Sequence, residues 1–178
     1  MVYEVVAITQ CGLLLLVGLL GVRMYTLSRT ELTVPHGTIA STTHPTPLPL
    51  DRAELSSKLH ILVGLQERDC RAKGLLLPEA PNAVRTYATV WLYGASCALC
   101  PSVVRHSEPL ASIVAGIASR KSGIRQSEAI QAIATLTSSD ILLACYRAGL
   151  DGAEFWEEKH YVPPTSSLYE AVTSNAFI

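Results

Sequence analysis

The sequence predicts an all-α protein in three parts. A single N-terminal transmembrane helix lies within residues 1–29, a Pro/Thr-rich linker fills 30–50, and a compact domain of five to six helices occupies 51–178. Three observations carry this prediction. An uncharged apolar run opens the chain, prolines and threonines crowd the stretch after it, and beyond that the apolar residues recur at helical spacing. Alternating strand patterns are essentially missing.

The apolar run starts at Val5 and closes at Val22, fenced by Glu4 and Arg23. Its eighteen residues make about 27 Å of helix, close to the ~30 Å hydrocarbon core of a bilayer. A helix satisfies its own backbone groups, which is what lets it cross lipid. Tyr3 and Tyr25 bracket the run, where amphipathic rings favour the membrane boundary. A cleaved signal peptide needs a basic n-region and a small-x-small cleavage site; Glu4 and Leu20-Gly21-Val22-Arg23 supply neither. Cys11 follows Thr9 and Gln10 and precedes more apolar sequence, so it is no lipid-anchor cysteine. The expected membrane contact is therefore lipid against Val5–Val22. Arg23 and Arg29 follow the run and no basic residue precedes it, which favours a single-pass protein with its C-terminal domain on the cytoplasmic side.

In the linker, Pro35, Pro45, Pro47 and Pro49 deny helix and sheet hydrogen bonds and stiffen the chain toward polyproline II. His36 and His44 read as solvated linker residues. Roughly 125 residues follow, enough for one domain with its own core.

Asp51 and Glu54 form a D-x-x-E helix start, and Leu55, Leu59, Leu62 and Leu65 continue it as one apolar stripe. Gly74 is the expected C-cap, and Pro78 and Pro81 mark the next loop. The segment 86–104, from Thr86 to Val104, carries no charge. Ser, Thr, Gly and Tyr dilute it, so it reads as a buried core helix; a second membrane crossing is the alternative. Leu110, Ile113, Val114 and Ile117 give a helix capped by Ser107 and stopped by Gly123. A short helix over 127–136 follows, then one from Ser139 to Ala148, capped by Asp140 or a neighbouring serine and ended by Gly149. Its all-apolar stretch from Ile141 to Tyr146 predicts a central position. Pro163 and Pro164 set off a last helix near 167–172.

Candidate chemistry is sparse. Cys97-Ala-Leu-Cys100 could be a thiol oxidoreductase pair, but that needs a helix N-terminus after a strand. It could hold zinc only with two more well-spaced ligands, and Cys70 and Cys145 belong to no second C-x-x-C. Buried reduced thiols are the favoured reading, with two disulfides as the alternative. Arg120, Lys121 and Arg125, available for phosphate contacts, lie with Gly123 in a stretch loosely resembling a helix-turn-helix, the layout of a membrane-tethered DNA-binding regulator, although the spacing from Ala118 to Gly123 is one residue longer than the usual pattern. A net charge of −1 gives no field for phosphate. Asp151, Glu154, Glu157 and Glu158 read as a solvated turn with Phe155 and Trp156 plugging the core. His60, His106 and His160 stand singly. G-x-S-x-G, H-E-x-x-H, Walker A and G-x-G-x-x-G motifs do not occur. The sequence thus predicts no catalytic, cofactor-binding or metal-binding residue and no small-molecule substrate. It predicts a non-catalytic, membrane-anchored subunit that docks with other protein subunits of a larger membrane assembly in secretion, motility or energy machinery.

Overall fold

A computed structural model describes residues 51–176, with side chains to 174. The anchor at Val5–Val22 and the linker over 30–50 lie outside the described residues. Six helices follow in order: α1 Arg52–Ala72, α2 Asn82–Leu99, α3 Glu108–Ser122, α4 Gln126–Ala134, α5 Asp140–Lys159 and α6 Leu168–Ala176. Four 3-10 turns join them, and there is no strand among the described residues. The domain is all-helical.

Local sequence sets most boundaries. Asp51 Oδ1 accepts from the backbone N–H groups of Ala53 and Glu54 at 3.0 and 3.1 Å, the expected cap of α1. Leu55, Leu59 and Leu62 are buried as the stripe predicts. Leu65, however, is 40% exposed, and Gln66 takes the inward place. A helix turning every 3.6 residues carries the face one position onward there. Lys73 closes α1, and Gly74 follows in the left-handed region at φ 83°.

α2 is the centre of the domain and packs against all five other helices. It starts at Asn82, earlier than the uncharged segment suggests, and ends where Cys100 turns extended before Pro101. Trp91, Val90, Ala95 and Cys97 are fully enclosed. Among the described residues no helix is long and apolar enough to cross a membrane. The apolar content of 86–104 is used against neighbouring helices, as expected of a core helix.

The tightest packing is α2 against α5. A Cβ built on Gly94 would lie 2.0 Å from the Tyr146 carbonyl oxygen, and one on Gly149 would lie 1.9 Å from the Trp91 carbonyl oxygen. Each helix thus presents a glycine to the other's backbone. This corrects the prediction that Gly149 ends a helix: α5 runs on to Lys159. Glycine is there because nothing larger fits between the backbones, not because the chain turns. The acidic stretch from Asp151 to Glu158 is likewise helix rather than turn. Trp156 packs on the core from it, and Phe155 meets Tyr161 edge-on at 5.0 Å. Ser139, not Asp140, supplies the cap of α5.

The last helix is tied in by polar groups from distant chain. Gln66 Oε1 accepts the Leu168 N–H at 2.9 Å, and Ser167 Oγ accepts that of Glu170 at 3.2 Å. Trp91 Nε1 donates to the Ser166 carbonyl at 3.0 Å. Ser167 is the local cap, Gln66 adds an acceptor from α1, and Trp91 of α2 fixes the turn that leads into α6.

Candidate functional site

Three regions could carry function: the thiol pair at the end of α2, the α3–α4 corner, and the outer face of α1.

Cys97 and Cys100 sit at the C-terminal end of α2, and both are buried free thiols. The negative end of a helix dipole opposes a thiolate, the reverse of what a redox cysteine needs. Burial pushes the Cys100 thiol up, and its Sγ donates to the Cys97 carbonyl at 3.6 Å. The structure adds partners that the sequence did not link. Tyr93 from α2 and Tyr146 from α5 both lie close to the Cys97 side chain. Their rings lie 5.9 Å apart. His106 closes over them with its ring centroid 6.1 Å from each, its Nδ1 3.4 Å from the Tyr93 hydroxyl. Burial raises Tyr93 to about 12, with Cys97 adding to it, and it raises Tyr146 further. Both phenols therefore stay protonated near neutral pH. The cluster gathers two phenols, a thiol and an imidazole where α2 packs on α5. His106 has φ 63°, a region where non-glycine residues are uncommon. No sequence signal joins Tyr93, His106 and Tyr146; the packing of α2 on α5 and the loop before α3 bring them together.

The other two described cysteines are buried as well. Burial raises Cys70 to about 12 and Cys145 to about 11. Among the described residues no three His, Cys, Asp or Glu side chains are grouped to hold a metal ion.

At the α3–α4 corner Gly123 turns the chain at φ 72°, as predicted. Two of the three basic residues there are engaged in ion pairs. Lys121 pairs with Glu67 of α1 at 2.9 Å in a half-buried bridge. Arg125 pairs with Glu128, and that guanidinium holds the Glu128 carboxyl below its ordinary value. Arg120 alone of the three has no ion pair among the described residues. α4, where a recognition helix would lie, is nine residues long and buries Ala129, Ala132 and Ile133. The acidic side chains of α5 are exposed, and Glu157 bridges to Lys58 at 3.0 Å.

The outer face of α1 is different. Ile61 is 58% exposed and Leu65 40%, one turn apart. Gly64 lies beside them, and a Cβ added there would meet nothing within 4 Å. Glycine disfavours a helix interior relative to alanine, yet nothing packed on it among the described residues requires it here. Arg68 and Arg71 continue the exposed face.

Comparison with protein-family models, curated proteins and solved structures finds no match to this chain.

Proposed function

We propose that this protein is a non-catalytic, membrane-anchored helical subunit that works through protein–protein contacts within a larger membrane assembly. Secretion, motility and energy machineries are the classes of assembly it fits. The observation that carries the reading is the eighteen-residue uncharged run 5–22, followed by a spacer and a helical domain. Packing within the domain supports it. The side chains best suited to chemistry, Cys97, Cys100, Tyr93 and Lys121, are engaged in core or ion-pair contacts, while apolar side chains on α1 face outward. Arg23 and Arg29 favour the cytoplasmic side for the domain.

The test uses the full chain in native membranes. It should stay in the pellet after an alkaline carbonate wash and leave mild detergent as a species heavier than one 19.2 kDa chain. A monodisperse monomer, or release by carbonate, would overturn the reading. Orientation is read with Val103→Cys, since Val103 is 73% exposed whereas the four described native cysteines are buried. A membrane-impermeant maleimide should label it only after the cytoplasmic face is opened.

A further inference from the structure

We propose that α1 pairs antiparallel with α1 of a second copy of this chain, with Ile61 on the two-fold axis and Glu54 of each copy facing Arg68 of the other. The proposal deepens the interaction-subunit reading, and rests on it for the membrane setting, by naming what covers one face.

The seam is written in the spacing of the outward residues. Glu54, Lys58, Ile61, Leu65, Arg68 and Ala72 are separated by four, three, four, three and four positions. That alternation keeps one stripe facing a partner helix. It is distinct from the buried stripe of Leu55, Leu59, Leu62 and Gln66, which faces the protein's own core. Its centre is apolar, through Ile61 and Leu65, and its ends are charged.

The charges choose both partner and direction. Glu54 stands seven residues before Ile61 and Arg68 seven after. Seven residues advance a helix by nearly two whole turns, so all three share one line. Reversing a copy about Ile61 lays acid on base at both ends, whereas a parallel pair would set Glu54 on Glu54 and Arg68 on Arg68. The groups are available: the Glu54 side chain keeps 64% of its surface exposed although it also meets Lys58 at 3.2 Å. Arg68 is exposed and has no ion pair among the described residues.

The flanks fit the same operation. Gly64 and Ser57 lie on one side of the Ile61 line, and reversal brings Gly64 opposite Ser57 of the other copy. Two small residues there let the helices approach closely, which explains why open space is kept above Gly64. On the other side Leu65 comes against the aliphatic stem of Lys58, a chain that covers apolar surface while its ammonium stays in water. A two-fold axis uses one patch on both copies, so a single helix supplies the whole contact.

The experiment is cross-linking of the full chain in native membranes. Ile61→Cys, oxidised mildly with copper–phenanthroline, should give a disulfide-linked species of twice the chain mass. Val103→Cys should stay at the wild-type level, which also accounts for Cys11. Adding Glu54→Arg or Arg68→Glu to the Ile61→Cys chain should reduce the cross-linked fraction on the order of tenfold, because like charges then face each other. The double reversal should restore it, with helical circular dichroism unchanged in every variant. Ile61→Cys dimer no greater than that of Val103→Cys, cross-linking to a different protein, or well-folded single reversals that the double reversal fails to rescue would each overturn the pairing. If the detergent-extracted chain nonetheless remains heavier than a monomer, the interaction-subunit reading stands without this partner; a monomer removes both.

Discussion

Replacing Gly94 or Gly149 by alanine tests the centre of the fold. In most helix interiors Gly→Ala is favourable by about 1 kcal/mol, because alanine restricts the unfolded chain and favours the helix. At these two positions the sign should reverse. The added carbons would sit 2.0 and 1.9 Å from the carbonyl oxygens of Tyr146 and Trp91. Non-bonded heavy atoms rest comfortably at roughly 3.5 Å, so the α2 and α5 backbones must part by about 1.5 Å. Neither obstacle is a flexible side chain; both belong to hydrogen-bonded helix. Overpacking of this kind costs about 1–3 kcal/mol and sometimes more. Parting the helices would also loosen Ala95, Cys97 and Ala153, all fully buried. A clash of backbone with backbone belongs at or beyond the top of the overpacking range. After the helix gain of about 1 kcal/mol, we expect a net loss of roughly 2 kcal/mol or more for each variant. At roughly 3–5 °C per kcal/mol for a domain of this size, that lowers Tm by about 6–10 °C or more. Gly116→Ala is the control, since its Cβ would meet only side-chain atoms at 3.7 and 3.8 Å. It should raise Tm by a few degrees. Thermal unfolding of the detergent-solubilised full chain, followed by far-ultraviolet circular dichroism, reads all three. If Gly94→Ala and Gly149→Ala behave like Gly116→Ala, the backbones do not meet and the account of the crossing is wrong.

Two further expectations concern the polar core and the thiols. Gln66→Ala removes the side-chain acceptor at the start of α6 and leaves the Leu168 N–H buried without it. The loss should be about 1–2 kcal/mol. Hydrogen exchange should quicken in α6 before the α2–α5 pair, and uniform quickening would count against a local cap. Stability should also fall at alkaline pH. Cys70 is raised from 9.0 to about 12, Cys145 from 9.0 to about 11, and Tyr93 from 10.0 to about 12, all with burial as the largest cause. The folded chain keeps these protons after the unfolded chain has released them. The contribution is therefore fully present below about pH 9 and is lost as pH rises toward 11–12. Urea midpoints in reducing buffer should drop across that window, with a shallower slope in Cys70→Ala. A midpoint constant from about pH 8 to 11 would contradict the burial of these groups.

Boundaries were legible where the cause is local. Asp51, Ser107 and Gly123 act on backbone within three or four residues, and each performs the terminal role its sequence suggests. Gly149 was illegible for the opposite reason. A glycine that stops a helix and one that admits a neighbouring backbone look alike in one dimension. Only Trp91, far away in the chain, distinguishes them. The same limit moved the centre of the domain. The stretch Ile141–Tyr146 suggested a central helix, yet Ala144 is exposed and α2 is the helix that every other one touches. Uniformly apolar sequence reports how much surface can be buried, not which neighbours bury it.

The candidate sites divide along the same line. The missing strand before the C-x-x-C pair argues against redox chemistry from sequence alone, but its Tyr93–Tyr146–His106 surround depends on how α2 packs on α5. Lys121 was read as available for phosphate because its partner Glu67 lies on another helix. α1 shows the converse. Its two stripes are interleaved in one sequence, and the heptad-like set Glu54–Ala72 is visible there as soon as the inward residues are removed from view. Burial data remove them: Leu55, Leu59 and Leu62 are assigned to the core, and Leu65 is released from it. A position that a sequence pattern places in the core but the fold leaves at the surface is then a specific clue to association. Leu65 is such a position, and beside Ile61, Gly64 and the opposed charges of Glu54 and Arg68 it directs the search for a partner to this helix.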